Sequence, residues 1–170
     1  MNGVEALRGA INASHQWYQG TIADLTPETA NYLPAGTAHP ISETAAHIVQ
    51  AEDYLVGSLL AGQGTLWEKD GWESKLGIPN VTRQDATVAR SFKCNVGALA
   101  DYTQAVYAQT EAYFSSLKDA DLDRMLDMGP QLGQMPVGAA ISFLLIGNNF
   151  AHTGEIAAIK GVQGGKGYPF

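Results

Sequence analysis

One cysteine, Cys94, is the only thiol in the chain, which excludes an internal disulfide framework. It sits within a helical pattern with no histidine or basic cluster beside it, and reads as a buried, inert thiol. Charge is also scarce. Only 16% of residues are charged, and such a chain exposes much weakly polar surface; a homodimer that buries one face is the expectation. The ten Lys and Arg are scattered, and the net charge is -7, so no basic surface for a nucleic acid is expected. No run of 18 or more apolar residues occurs, and no membrane span is expected. The opening MNGVEALRGA lacks a basic stretch followed by an apolar run, so no secretory leader is expected. These absences together predict a cytoplasmic protein. Internal repeats, low-complexity tracts, a nucleophile elbow and a dinucleotide fingerprint are missing as well. Residues 161–167 are glycine-rich but follow a helical pattern rather than a strand, which is the wrong context for a phosphate loop.

What remains is helical periodicity. With 170 residues, 45% of them hydrophobic, the chain has the size and apolar content of one domain, residues 1–170, with its own core. Four segments carry apolar residues every three to four positions: residues 4–24, 42–61, 85–117 and 136–161. Thr26 with Pro27 reads as the cap of a short turn, and Ser42 as the cap of the second helix. The third segment would span about 50 Å as one helix, so a bend near Gly97 or a break before Phe92 is expected. Residues 63–82 form the longest connection. They hold Trp67 and Trp72, which predicts a loop that packs down. No strand pattern is present. The reading is an all-α fold, an antiparallel four-helix bundle with a long Trp-containing loop between helices 2 and 3.

Only four histidines could carry metal or acid–base chemistry: His15, His39, His47 and His152. His47 and His152 lie within the second and fourth helices, on faces that also carry core residues. Bundles build ligand sites from facing helices, so the two can meet. The alternative is two partly buried imidazoles hydrogen-bonded to neighbours. Asn148 precedes His152 by four residues and shares its helix face. His15 reads as a surface residue and His39 as a turn residue. Ala51 or Glu52 continues the buried face of the second helix, Asp53 is expected to face water, and Glu155 either orients an imidazole or makes a surface ion pair.

The stretch Pro40-Ile41-Ser42-Glu43-Thr44-Ala45-Ala46-His47, with Glu52 after it, is followed by Leu66-Trp67-Glu68-Lys69-Asp70-Gly71-Trp72. Then come Leu117-Lys118-Asp119-Ala120-Asp121-Leu122-Asp123-Arg124 and Ala151-His152-Thr153-Gly154-Glu155-Ile156, with Gly161 beyond. In order and spacing this resembles the DinB/YfiT-like superfamily of small metal-binding bundles, over nearly the whole chain. The resemblance implies a four-helix bundle, often dimeric, with one divalent metal, commonly Zn or Ni, on three histidines. One of these comes from the second helix and two from a His-x-x-x-His pattern on the last. It also implies metal-dependent transferases and isomerases that use low-molecular-weight thiols. His47 matches the first ligand and His152 the third. The second falls on Asn148, a departure from the pattern. An amide is a poorer ligand than an imidazole for such metals, so the metal is expected to be weakly bound or absent, unless His15, His39 or Glu155 supplies a bond. Two functions follow: a metal-assisted thiol transferase or isomerase, or a non-catalytic bundle, structural or holding a small ligand in a cavity under the Trp67 and Trp72 loop.

Overall fold

The structure is a computed structural model that describes residues 2–170, and it is mostly helical. Helix α1 spans Gly3–Ile22. Asn2 opens it with a capping box: its side chain accepts from the Glu5 amide at 2.8 Å, and the Glu5 carboxylate accepts from the Asn2 amide at 3.0 Å. Helix α2 runs as an α-helix over Ile41–Asp53 and continues as a π-helix over Tyr54–Leu60. Helix α3 is Val96–Ser116. Helix α4 comprises Val137–Ala140, a π-helical Ile141–Gly147 and Asn148–Val162. Helix α4 packs on both α1 and α2, and α2 packs on α3. Among the described residues no helix is long and apolar enough to cross a membrane.

Three local expectations need correction. The third segment is not one helix from Asp85, and of the two interruptions expected the break before Phe92 is the one found. A separate turn, Ala86–Ala89, is followed by non-helical chain up to Asn95. There the Cys94 amide donates to Asn31 Oδ1 and the Asn95 amide to the Leu76 carbonyl, both at 2.9 Å. Those tertiary bonds compete with helical ones, and the break falls around Phe92. Secondly, Ser42 is not a cap: the helix starts one residue earlier, and Ser42 Oγ donates to Asn31 Oδ1 at 2.7 Å. Thirdly, a two-stranded antiparallel hairpin is present, Met125–Asp127 paired with Gln134–Pro136. Its three-residue strands are too short for period-two alternation to register. The Thr26 cap with Pro27 at the first helical position forms as read.

The connection between α2 and α3 packs down as expected. It holds two short helices, Leu66–Lys69 and Trp72–Leu76, with both tryptophans buried. The Trp67 and Trp72 rings lie 5.7 and 5.1 Å from the Tyr102 ring of α3. At roughly 150–250 Å² per aromatic side chain and about 25 cal/mol/Å², each tryptophan contributes about 4–6 kcal/mol of gross burial energy.

Two apolar clusters make the core. One contains Tyr18, Ile48, Val49, Trp67, Trp72, Val106 and Ile156. The other contains Ile11, Leu55, Val56, Phe114, Ile141 and Ile146. A polar layer lies between them, one residue from each long helix: His15, Glu52, Thr110 and Asn149. Each stands in its helix between members of the two clusters. The fully buried Glu52 carboxylate accepts from His15 Nε2 at 2.9 Å, Thr110 Oγ1 at 2.6 Å and Asn149 Nδ2 at 2.9 Å. His15 is therefore buried, not a surface residue; its ring stacks on Tyr107 with centroids 3.4 Å apart. Asp53 is also fully buried and does not face water. Its carboxylate accepts from the Leu66 and Trp67 amides at 2.9 and 2.8 Å, from Tyr102 OH at 2.8 Å and from Gln109 Nε2 at 3.2 Å. A buried carboxylate is tolerable only with such partners, and here it also anchors the Trp67 turn to α2.

Candidate functional site

Two clefts open on the same side of α2 and α4 and share His47 and Thr82. The first, about 270 Å³, gathers His39, Glu43, His47, His152 and Glu155. Helical spacing explains this grouping. Glu43 and His47 are four residues apart at the start of α2, and Asn148, His152 and Glu155 follow i, i+4, i+7 on α4. Val81, Thr82, Ala86 and Ala89, from the segment before α3, also line this cleft. The loop of residues 63–82 borders it through Val81 and Thr82, whereas Trp67 and Trp72 are turned into the core and do not line it.

The rings of His47 and His152 lie 4.7 Å apart, edge to face. Glu155 Oε2 accepts from His152 Nδ1 at 2.7 Å, which leaves the Nε2 lone pair free. Burial, and then the neighbouring His152, hold the His47 imidazole below its ordinary pKa, against a smaller opposing contribution from Asn148. Both effects favour the neutral, ligating form of His47. Glu43 lies with Oε2 2.8 Å from His39 Nδ1, yet that nitrogen has no partner in hydrogen-bond geometry. Burial pushes the Glu43 carboxyl above the usual carboxylate range, and His39 opposes that shift.

The second cleft, about 470 Å³, has apolar walls that include Leu55, Leu59, Met128 and Leu144. Asn148 lines this one, beside His47, and its Nδ2 is buried without an acceptor. The structure thus brings His47 and His152 together and sets Asn148 next to His47 at the neighbouring opening. His15 belongs to the Glu52 layer and is not at the site. His39 and Glu155 line the first cleft. Among the described residues, no three His, Cys, Asp or Glu side chains converge on one point where an ion could sit.

A sequence model of the DinB superfamily matches residues 10–156. The chain belongs to the DinB superfamily. The crystal structure of a conserved protein from Enterococcus faecalis is similar in fold, with a TM-score of 0.80 at 20% identity, covering 96% of this chain and 99% of that one. No curated protein matches. Against the metal that the DinB resemblance implies, the donor set can be tested directly. Two imidazoles from different helices face each other, one backed by a carboxylate as ligating histidines usually are. The third histidine is replaced by an amide. This fits an open, weak divalent site on His47 and His152 and does not fit a closed three-histidine one.

The sequence reading missed the donor set around Glu52 and the second cleft. The phase of Glu52, three residues after Val49 and three before Leu55, was a usable signal for burial. For the cleft no sequence signal existed, because much of its apolar wall comes from π-helical turns.

Proposed function

We propose that this DinB protein is an antiparallel four-helix bundle that holds a divalent metal, Zn or Ni, on His47 and His152. Asn148 serves as a weak third ligand or as an anchor for bound water. The supporting activity class is a metal-assisted thiol transferase or isomerase. The observation that carries this reading is the edge-to-face approach of His47 and His152, about a hundred residues apart in sequence, with Glu155 fixing the His152 ring. A bound divalent metal would supply a lowered pKa for a coordinated thiol or water. The chain's own residues do the rest. Glu155 holds the His152 tautomer that leaves Nε2 open, and burial keeps His47 neutral. Glu43, with its carboxyl shifted upward inside the same cleft, is suited to take up and return a proton.

A second reading has its own support. The absence, among the described residues, of a third converging His, Cys, Asp or Glu favours a non-catalytic bundle that has lost the metal and keeps a ligand pocket. Elemental analysis of the purified, untagged protein separates the two. Near-stoichiometric metal that vanishes in His152→Ala supports the metal site, and thiol-transfer assays follow. No metal after incubation with Zn or Ni removes it. We further propose a cytoplasmic homodimer, on the low charge content and on exposed Trp17, Phe143 and Phe170. A monomeric mass by light scattering of the same preparation at micromolar concentration would remove the dimer.

A further inference from the structure

We propose that the second cleft is a binding site for a small amphipathic carboxylate, with the apolar body in the cleft and the carboxylate at Arg83. Four observations converge on this. The cleft, at about 470 Å³, has the size of a small-molecule site. No carboxylate lines it, in a chain of net charge -7 whose adjoining cleft holds both Glu43 and Glu155. An anion is therefore repelled from one opening and admitted to the other.

Its polar equipment consists largely of donors. Arg83 lines the cleft, and among the described residues its ion-pair contact is a long one to Glu68, 3.7 Å away with both side chains more than half exposed. Such a pair holds the cation only weakly and leaves its fork free to take a carboxylate. Asn148 lines the cleft beside His47 as an uncharged amide whose Nδ2 is sealed from solvent, so it adds no negative charge to the lining.

Much of the apolar wall comes from the two π-helical stretches. Tyr54, Leu55 and Leu59 lie in Tyr54–Leu60, and Leu144 lies in Ile141–Gly147. Hydrogen bonds in π turns are poorer than in α turns, and such turns persist mostly where they shape a functional site. Both of those in this chain border the same opening. The site needs no metal, so it stands or falls apart from the His47–His152 reading.

Octanoate and octanol are the probes, titrated by calorimetry into protein freed of metal with a chelator. Octanoate should saturate one site and bind at least tenfold more tightly than octanol. Arg83→Gln, at an exposed position, should weaken octanoate about tenfold and leave octanol unchanged. Asn148→Asp, which keeps the side-chain size but adds a negative charge, should weaken octanoate further. Equal affinities for the two probes, no saturable binding, or an octanoate affinity indifferent to Arg83→Gln would each overturn the proposal. Octanoate binding that appears only after Zn or Ni is added would also overturn it, while leaving the metal reading in place.

Discussion

Removing the Glu52 carboxylate should destabilise this protein as strongly as a large apolar core truncation does. Glu52→Ala leaves three donors, His15 Nε2, Thr110 Oγ1 and Asn149 Nδ2, facing a cavity between two apolar clusters. Each stranded donor costs about 1–3 kcal/mol, and breaking a buried pair from one side costs roughly 3–5 kcal/mol. Partial relaxation and entering water reduce the sum, so the expected loss is about 4 kcal/mol. That is a large share of the roughly 5–15 kcal/mol that holds a domain folded. At a urea slope of about 2 kcal/mol/M, the midpoint falls by about 2 M. His15→Phe is the partner for a double-mutant cycle, because it keeps a ring against Tyr107 while deleting the donor. Glu52→Ala should cost less in that background, with a coupling of about 1–3 kcal/mol. A loss below about 1 kcal/mol for Glu52→Ala, or additive single effects, would refute the idea that the layer acts as one bonded unit.

Two further outcomes are expected. Burial pushes the Cys94 thiol from the ordinary 9.0 up to about 12, so above pH 9 the unfolded chain loses this proton first and stability falls with rising pH. The decline runs up to about pH 12 at about 1.4 kcal/mol per unit, is absent below pH 9, and is read as the difference between wild type and Cys94→Ala in urea melts across that range. Gly57→Ala should destabilise by about 1–3 kcal/mol despite alanine's better helix propensity. A Cβ there would lie 2.7 Å from the Gly64 carbonyl oxygen and 2.8 Å from Gln109 Nε2; an unchanged urea midpoint would contradict that packing.

Much of the helical frame was legible because periodicity and end signals agree over long stretches. The limits of α1 and α4 follow from the apolar spacing and from the glycine-rich tail, and the two helical histidines were visible as polar residues on core-bearing faces. Asp53 was misread because nothing local marks a carboxylate as the cap of another segment. Its partners, Leu66, Trp67, Tyr102 and Gln109, lie 13 to 56 residues away. His15 failed for a related reason. Its position between Ile11 and Tyr18 put it in phase with the core, but an isolated histidine has no visible acceptor in one dimension. The hairpin around residues 125–136 was below the length at which any period can be recognised.

The π-helical turns explain why the two clefts sit side by side with opposite chemistry. Helix α2 turns π directly after Asp53, and α4 leaves its π stretch directly before Asn148. Both changes adjoin the Glu52 and Asn149 layer, so the bonded layer marks the level at which the two helices change their winding. On one side of that level, regular α-turns bring His47 and His152 ring to ring beside two carboxylates. Toward the other, the π turns supply Leu55, Leu59 and Leu144 to an opening with no carboxylate in its lining. Asn148 stands at the seam. At that position an imidazole would add a third ligand for an ion, whereas an amide adds a donor without competing strongly for the metal. The residue that lowers the donor strength of the proposed metal centre therefore also keeps the lining of the neighbouring cleft free of negative charge.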